Sequence, residues 1–545
     1  MVPDIVEHDQ YNIGYICTHR QCRRGLGNTS ALRWISHRFE RQDYTFADLD
    51  GLTNRFANVL TELGLRKGDV VFTFLPKMPE QFVAFLGGLK AQCITGTLFS
   101  NLGDDALLDR LADSGARLVV TSKSLYRKIE RIRARLPQLR TVILIDVADD
   151  LSHDLLSWGR MMTAAHDDFA TPVTPPETPS VLHYTSGSTG KPKGVLHCHK
   201  SVMQQARTAH EVLGLQRNDL YWCTADQGWV TGTSYGIIGP WSLGVTQLHF
   251  GGTYDAGCWL DLIARQGVTV WYTAPTALRM LMREEPTLFL AADLSSIRSI
   301  FSVGEPLNPE VISWARKTLG KDIFDTWFQT ETGAIMIANC SRFPVRPGSM
   351  GKPVQGVEPA ILADDGTICA AGEHGNLCIK QGWDSMFATY LNNSAAYEDR
   401  FKNSYYYTGD MAWRDDDGYY WFLGRSDDVI NTSGHLVSPF EVESTLLELP
   451  EVVESAAIAA PDDLLFEKVV AFVHLKADVT LTPELMLKIR LHVANRLSSV
   501  AIPQEIIPVE EIPKNKSGKI MRRVMKSRYL GQDEGDITML EEYGQ

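Results

Sequence analysis

The chain has 545 residues, of which 44% are hydrophobic, and it carries a formal net charge of −13 with a sequence pI near 5.6. That length is too great for one ordinary hydrophobic core, so two or more domains are expected, the first of them large or subdivided. The acidic balance argues against bulk nucleic-acid binding and against attachment to anionic membranes, although a local basic site could still hold phosphates.

Cysteine usage and the N-terminal residues indicate the cellular compartment. Nine cysteines are scattered along the chain, an odd number without a C-x-x-C pair, so neither a disulfide framework nor a zinc knuckle is indicated. The first residues are acidic where a signal peptide would be basic, and no run of 18 apolar residues occurs. These features predict a cytoplasmic protein with reduced thiols and no membrane partner.

Helical and strand patterns alternate in the first part of the chain. Apolar residues at helical spacing predict a helix that Thr45 caps and Gly64 ends. Further strands are predicted at 70–76, 94–99, 118–121, 142–146, 220–225 and 245–250, and further helices at 79–90, 201–214 and 259–266. Alternation of this kind predicts a layered α/β domain.

The character of the chain changes after about Ser349, where Gly, Pro and Asp become frequent and the strands become short. Strands at 356–362 and 375–380 predict a β-rich subdomain. A helix at 440–449, a strand at 469–475 and a helix at 483–497 then predict a small α+β module. We therefore expect a large N-terminal domain, residues 1–426, and a small C-terminal domain, residues 427–545.

A glycine-rich segment at 184–194, YTSGSTGKPKG, follows the apolar run at 181–182, so it is expected to leave a strand. Its glycines permit close backbone approach, and its hydroxyls and lysines suit the binding of a polyphosphate. It does not match the G-x-x-x-x-G-K-[ST] phosphate loop, because Thr185 stands five residues before Gly190 and Pro192 follows Lys191. The alternative is an exposed, flexible Gly/Ser-rich turn.

Other polar segments next to apolar runs are candidate ligand-binding loops. They occupy residues 226–232, 302–306, 325–333 and 407–410. Asp410 could accept hydrogen bonds from a ribose diol, Glu331 could ligate a hard cation, and Trp327 could form an aromatic wall for a base. Taken singly, Asp410 is better explained as a turn carboxylate and Trp327 as a core residue.

Lys519 follows a Ser-Gly turn and precedes a predicted helix, within the basic segment 512–523. A lysine on such a loop could reach into a neighbouring cleft. The alternative is a solvated basic face. An RNA-binding role lacks interleaved aromatic residues and opposes the charge of the whole chain.

These motifs occur in the order and spacing of the adenylate-forming superfamily, and the resemblance spans nearly the whole chain. Segments 221–236, 272–276, 302–309 and 325–333 are similar to the AMP-forming acetyl-CoA synthetases, in particular to their shorter bacterial form. The resemblance implies that ATP and acetate react with Mg²⁺ present to give acetyl-adenylate and diphosphate. Coenzyme A then displaces AMP, which gives acetyl-CoA.

The resemblance also implies roles for individual residues. ATP and AMP are expected to contact Thr185, Ser186, Gly187, Ser188, Thr189, Gly190, Lys191, Lys193, Gly304, Glu305, Pro306, Asp325, Thr326, Trp327, Gln329, Thr330, Asp410 and Arg425. The implied acyl pocket is Val230, Thr231, Val303 and Phe328, the implied CoA site includes Ser433 and Gly434, and the implied metal site is Glu331 with Thr189. Lys519 is the implied catalytic residue, which neutralises charge during adenylation. Asp427 is the implied hinge of a mobile C-terminal domain.

Two positions depart from the family pattern. Phe328 stands where these synthetases usually have Trp, so the pocket is expected to fit acetate and to admit propionate or slightly longer acids. Leu436 stands where Arg is common, which could weaken nucleotide binding in one half-reaction unless Lys514 or Lys516 substitutes.

Three alternative functions remain at this point. They are a ligase for propionate or another short acid, an adenylation enzyme that loads a carrier protein, and a non-catalytic homologue that only binds nucleotide. Retention of Lys519, Glu331 and Asp410 argues against the last. The expected partners are small molecules, and the sequence predicts no particular oligomeric state.

Overall fold

The computed structural model describes residues 5–185, 192–432, 435–462, 464–514 and 519–534. The helices, in chain order, are α1 Ile13–Cys17, α2 His19–Gln21, α3 Phe46–Glu62, α4 Pro79–Lys90, α5 Asp104–Ser114, α6 Lys123–Ile132, α7 Trp158–Ala164, α8 Ser201–Glu211, α9 Val230–Thr233, α10 Gly239–Leu243, α11 Ala256–Gln266, α12 Pro275–Met282, α13 Pro286–Ala291, α14 Pro309–Thr318, α15 Ser394–Glu398, α16 Pro439–Leu447, α17 Pro483–Arg496 and α18 Arg522–Leu530. Short π-helical turns lie at Cys22–Leu26 and Ser234–Ile238, and 3-10 turns at Arg133–Arg135 and Ser499–Ala501.

The strands connect into three sheets. In chain order they are β1 Ser30–Ile35, β2 Arg41–Thr45, β3 Val70–Phe74, β4 Ile94–Leu98, β5 Leu118–Thr121, β6 Thr141–Leu144, β7 Leu155–Ser157, β8 Pro179–Thr185, β9 Lys193–Cys198, β10 Leu220–Cys223, β11 Thr246–Phe250, β12 Val270–Thr273, β13 Ser299–Val303, β14 Ile323–Trp327, β15 Ile337–Ala338, β16 Ser349–Pro353, β17 Pro359–Leu362, β18 Gly375–Lys380, β19 Thr389–Tyr390, β20 Phe401–Lys402, β21 Tyr405–Arg414, β22 Tyr420–Arg425, β23 Ile430–Thr432, β24 His435–Val437, β25 Val452–Asp462, β26 Phe466–Leu475 and β27 Glu505–Pro508.

The first predicted helix forms as α3 because its N-terminus is capped by side chains. Thr45 Oγ1 accepts a hydrogen bond from the Asp48 amide at 3.1 Å, and Asp48 Oδ2 accepts one from the Thr45 amide at 2.8 Å. This reciprocal capping box satisfies two backbone donors that the helix cannot pair internally. The predicted strands at 118–121 and 375–380 coincide with β5 and β18.

One sheet has the strand order β19-β9-β8-β4-β3-β5-β6-β7. The pairs from β3 to β7 and the pair β4–β8 are parallel, whereas β9 runs antiparallel to β8. Val71 packs in the cluster formed with α3 and α4, and its neighbour Phe72 packs in the cluster formed with α5 and α6. Every residue of β3 is therefore buried, as expected for a parallel strand covered on both faces.

A second sheet has the order β17-β18-β21-β22-β16-β15-β14-β13-β12-β10-β11-β1-β2, with β20 paired to β21. The neighbouring strands from β1 through β11, β10, β12 and β13 to β14 are parallel. The pairs β14–β15, β15–β16 and β16–β22 are antiparallel. The β-rich region predicted after residue 349 thus continues the sheet of the α/β region. This architecture confirms the predicted α/β class.

The C-terminal part forms a small sheet, β24-β23-β26-β25, with β27 added beside β26. Val469 and Ala471 on β26 pack in the cluster that contains α16 and α17, whereas Val470 and Phe472 pack in the cluster that contains α18. The alternation has the two-residue period of a strand, so both faces of the sheet are covered. This is the predicted small α+β module.

No helix in the described part of the chain combines the length and the hydropathy needed to cross a lipid bilayer.

Candidate active site

Asp410 is the centre of a buried hydrogen-bond network. Its Oδ2 accepts hydrogen bonds from Trp327 Nε1 and from Gln329 Nε2, each at 3.1 Å, and its Oδ1 accepts one from Arg425 Nη1 at 3.1 Å. Burial raises the pKa of Asp410, while the charges of Arg425 and Lys519 act in the opposite direction. Three donors therefore fix the orientation of a carboxylate that is only 3% exposed.

A turn held by acidic and basic side chains follows β13. Gly304 has φ of +95°, a left-handed conformation that favours glycine. The next residue, Glu305, accepts hydrogen bonds from Thr276 Oγ1 at 2.7 and 2.9 Å and from Arg279 Nη2 at 2.5 Å. Because Thr276 and Arg279 lie one turn apart on α12, that helix fixes the position of the turn.

Asp325, on β14, carries an unpaired acceptor. It is 8% exposed, and its Oδ1 has no hydrogen-bond partner among the described residues. Burial raises the pKa of Asp325 well above its usual value. A buried polar atom without a partner is costly, so this oxygen is suited to binding a polar group of a ligand.

Glu331 lies beside the strands that flank the glycine-rich segment. Tyr390 donates its hydroxyl hydrogen to Glu331 Oε1 at 2.8 Å, and burial together with the Glu331 charge raises the pKa of Tyr390. Lys193 Nζ lies 5.3 Å from the centroid of the Tyr390 ring. Since Lys193 pairs with Thr185 across β8 and β9, the two ends of the glycine-rich segment lie near the Glu331 carboxylate.

The backbone of Thr330 is oriented by a neutral histidine. His197 Nε2 and the Thr330 carbonyl oxygen are 2.8 Å apart, so this nitrogen carries hydrogen and donates. Burial lowers the pKa of His197 to about 4. The imidazole therefore adds a hydrogen bond, and no positive charge, next to the loop that follows β14.

A cavity of about 190 Å³ lies between the large and the small domain. Its walls include Gly304, Glu305, Pro306, Asp325, Thr326, Trp327, Phe328, Gln329, Asp410, Arg425 and Lys519. Lys519 lines this cavity together with Asp410 and Arg425. Burial and the neighbouring Arg425 lower the pKa of Lys519, while Asp410 and Asp428 act to raise it. The small domain thus places a cation opposite the Asp410 network.

The residues expected to form the acyl pocket divide into two groups. Phe328 lies on the cavity wall, and its ring packs edge-to-face on Tyr235 with centroids 5.4 Å apart. Val303 is buried in the same hydrophobic cluster as Tyr235. Val230 and Thr231 are buried in α9, which leads directly into the π-helical turn that carries Tyr235.

The expected hinge, Asp427, lies in the turn between β22 and β23, where its side chain is 64% exposed. Its Oδ1 is 3.8 Å from Arg425 Nε. The amides of Asp428 and Val429 both donate to the Arg425 carbonyl oxygen at 2.9 Å. These two hydrogen bonds close a turn from which the Asp427 side chain is exposed.

Several expected site residues fall outside the described part of the chain. These are Ser186, Gly187, Ser188, Thr189, Gly190, Lys191, Ser433 and Gly434. The described residues contain no group of three or more His, Cys, Asp and Glu side chains arranged to hold a metal ion.

Sequence reasoning missed other residues that hold the site together. Tyr406 donates to Gln329 Oε1 at 3.1 Å, and Arg279 fixes Glu305. Tyr406 could have been found, because residues 406, 408 and 410 alternate along one buried face of β21. Arg279 lay one helical turn after the noted segment 272–276, but only the fold shows that it meets Glu305.

The chain belongs to the AMP-binding enzyme family, whose model matches residues 19–391. A second model, the AMP-binding enzyme C-terminal domain, matches residues 441–519. These matches confirm the adenylate-forming family that the motifs resemble.

Curated relatives and solved structures extend this finding over the whole chain. The chain is 42% identical to the acetyl-coenzyme A synthetase of Bacillus subtilis, over 97% of this chain and 93% of the relative. It is 36% identical to that of Streptomyces coelicolor, over 97% and 85%. An anthranilate CoA ligase in complex with anthranoyl-AMP matches with TM-score 0.87 and 30% identity, over 96% and 98% of the two chains. An acyl-CoA synthetase from Brucella canis matches with TM-score 0.75 and 34% identity, over 95% and 94%.

Proposed function

We propose that this protein is an AMP-forming acetate:CoA ligase. Acetate attacks the α-phosphorus of ATP, which gives acetyl-adenylate and diphosphate, and the CoA thiol then displaces AMP to give acetyl-CoA. The names of the relatives support the substrate. The structural observation that carries the proposal is the cavity where Lys519 of the small domain faces Asp410 and the turn at Gly304 of the large domain.

The cavity wall offers complementary groups for AMP. The turn at 304–306 and the indole of Trp327 bound a slot suited to the adenine ring, and the unpaired Asp325 Oδ1 is suited to accept a hydrogen bond from its exocyclic amine. The Asp410 carboxylate, with Arg425 beside it, is suited to the ribose hydroxyls. Gln329 and Thr330 lie next in the chain, where the α-phosphate would follow.

Lys519 supplies the charge for adenylation. As the acetate oxygen approaches the α-phosphorus, negative charge builds on the carboxylate and phosphate oxygens. A preplaced cation in an enclosed site stabilises that charge and contributes roughly 10²- to 10³-fold in rate. Burial and Arg425 lower the pKa of Lys519, while the carboxylates of Asp410 and Asp428 act to raise it and so favour its charged form.

The residues present suit Mg²⁺. This ion usually binds one or two carboxylates together with substrate phosphates, rather than a cage of protein ligands. Glu331 is such a carboxylate, and Tyr390 orients one of its oxygens. We propose that Glu331 and Thr189 would hold the ion, which would supply positive charge to neutralise the ATP phosphates.

The second half-reaction needs a different placement of the small domain. We propose that residues 427–545 rotate about Asp427 as a unit against residues 1–426, which withdraws Lys519 and brings residues 432–434 to the CoA thiol. The exposed side chain of Asp427 supports this proposal, because an exposed side chain can move with the backbone when its angles change.

Acyl-chain length is proposed to depend on Phe328, with Val303, Val230 and Thr231 behind it. Phe328 and Tyr235 form an aromatic wall that would limit the length of the bound acid. The phenyl ring is smaller than the indole usual in the related synthetases, so we propose propionate as a second substrate. We propose a cytoplasmic location, where ATP and CoA are both present.

The decisive measurement is acetate-dependent exchange of labelled diphosphate into ATP, followed by AMP and acetyl-CoA formation when CoA is added. Acids from C2 to C6 should be compared, with acetate expected to give the highest kcat/KM. Failure of every acid to support exchange would overturn the enzyme assignment. Exchange without any transfer to free CoA would instead favour a carrier-protein acceptor.

A further inference from the structure

Glu454, on β25 of the small domain, forms salt bridges with two basic side chains from different parts of the chain. Its Oε1 accepts hydrogen bonds from Lys514 Nζ at 2.6 Å and from Arg283 Nη2 at 2.9 Å. Arg283 follows α12 of the large domain and also donates to the Val453 carbonyl oxygen at 2.8 Å. We refer to Arg283, Glu454 and Lys514 as the Glu454 triad. It links the two domains through a single carboxylate oxygen.

Lys514 stands at the base of the segment that carries Lys519. Residues Lys514 and Ile520 form an antiparallel bridge, and the Met521 amide donates to the Pro513 carbonyl oxygen at 2.8 Å. The position of Lys514 therefore fixes the backbone on the C-terminal side of Lys519. Because Lys514 is hydrogen-bonded to Glu454, its side chain is not placed to take the role of the arginine that the family commonly has at the position of Leu436.

The Glu454 triad is largely shielded from water. The side chains of Lys514 and Glu454 are 10% and 19% exposed, whereas that of Arg283 is 39% exposed. Burial acts to raise the pKa of Glu454, but Lys514 and Arg283 outweigh it and hold that pKa below its usual value. A shielded, hydrogen-bonded ion pair resists separation, because either charge alone would be left poorly solvated.

The Glu454 triad also adjoins the reaction cavity. Glu454, Lys514 and Lys519 all line the cavity that contains Asp410 and Arg425. Arg283 lies just beyond α12, the helix whose Thr276 and Arg279 fix Glu305 in the adenine-facing turn. The triad thus joins the element that shapes the nucleotide slot to the segment that delivers the lysine.

We propose that Glu454 is a positioning residue for adenylation, which couples docking of the small domain on Arg283 to placement of Lys519 through Lys514. The inference rests on the adenylation role of Lys519 proposed above. When the small domain rotates away, the bond to Arg283 must break while the bond to Lys514, within one domain, can remain. Glu454 should therefore matter for adenylation and not for thioester formation.

The test compares Glu454→Gln and Arg283→Gln with the matched control Glu451→Gln. Glu451 lies immediately before β25 and accepts from Lys488 Nζ at 2.6 Å, so it offers the same chemistry within the small domain alone. Each full-length variant is assayed for acetate-dependent diphosphate exchange and, separately, for acetyl-CoA formation from supplied acetyl-adenylate.

Glu454→Gln is expected to slow exchange about 10- to 100-fold, the usual effect of slight misplacement of a reacting group. Arg283→Gln should slow diphosphate exchange about 2- to 5-fold, because the ion pair that it removes is partly exposed. Added salt should reduce the difference in exchange rate between this variant and the wild type. Thioester formation should stay within about twofold of the wild type for both, and Glu451→Gln should resemble the wild type in both assays.

Equal losses in both half-reactions for Glu454→Gln would overturn the inference, because a merely structural defect would lower both. Unchanged exchange in Arg283→Gln at low salt would overturn the interdomain link, even if Glu454→Gln failed to fold. If the wild type itself showed no acetate-dependent exchange, the proposed function would fail instead, so the two failures are distinguishable.

Discussion

Asp410 and Arg425 lie directly opposite each other on the antiparallel strands β21 and β22, and Arg425 Nη1 donates to Asp410 Oδ1 at 3.1 Å. A cross-strand pair of this kind is held in register by the backbone ladder as well as by its own hydrogen bond. The ion pair therefore presents a preorganised carboxylate to the cavity.

Asp410→Asn should weaken nucleotide binding without abolishing folding. Asn keeps the shape and one acceptor but loses the charge opposite Arg425, so we expect KM for ATP to rise about 10-fold while KM for acetate changes less than twofold. Steady-state kinetics with each substrate varied would measure this. A matching rise in KM for acetate would contradict the proposed ribose contact.

Lys519→Ala should separate the two half-reactions. Without the cation, acetate-dependent diphosphate exchange should fall by about two to three orders of magnitude, whereas supplied acetyl-adenylate should still be converted to acetyl-CoA. Equal loss in both assays would remove Lys519 from its proposed role.

Deprotonation of Lys519 should make the adenylation rate fall at alkaline pH, which gives the pH–rate profile an alkaline limb. Its pKa is lowered, so it loses its proton, and with it the stabilising charge, at a lower pH than an ordinary lysine. The rate should fall as pH rises through that range. Lys519→Arg, which stays protonated, should move the limb to higher pH in pre-steady-state exchange assays; an unmoved limb would assign it to another group.

Local patterns in the sequence were sufficient to predict the helices and strands that are stabilised by local interactions. The capped helix α3 and the apolar strand β5 form where periodicity and turn residues predicted them. By contrast, β25 was not predicted, although it is long, because residues 452–462 contain small and polar residues without clear alternation. Its strand structure comes from pairing along almost all of β26.

In the candidate site, too, sequence patterns did not predict contacts between residues that are far apart in the chain. The motif residues Asp410, Glu331 and Lys519 followed from resemblance, but their supporting partners did not. Tyr390 meets Glu331 across 59 positions and Lys514 meets Glu454 across 60. Such pairs depend on strand order and on how the elements of each domain pack together, which spacing along one chain does not encode.

Phe328→Gly should shift substrate preference toward longer acids. Removal of the ring that packs on Tyr235 opens an apolar space, and each accommodated methylene gains roughly 1 kcal/mol. We therefore expect kcat/KM to rise for C4 to C6 acids relative to acetate, while Phe328→Trp should restrict the enzyme to acetate. An unchanged chain-length profile in both variants would refute the assignment of this pocket.

Buried histidines should make stability depend on pH. Burial lowers the pKa of His183 to about 3 and that of His197 to about 4, from about 6.5 in the unfolded chain. Below pH 6.5 the unfolded chain therefore binds more protons than the folded protein. The free energy of unfolding should fall as pH drops from about 6.5 to about 4, by up to about 1.4 kcal/mol per pH unit for each such residue.

His197→Gln isolates one of these contributions. The Gln amide can still donate to the Thr330 carbonyl oxygen but cannot take up a proton, so the variant should lose stability less steeply than the wild type between pH 6.5 and 4. Urea unfolding at several pH values would measure both slopes. Parallel slopes for His197→Gln and the wild type would show that His197 does not titrate on unfolding, and that the neutral buried imidazole beside Thr330 is wrongly assigned.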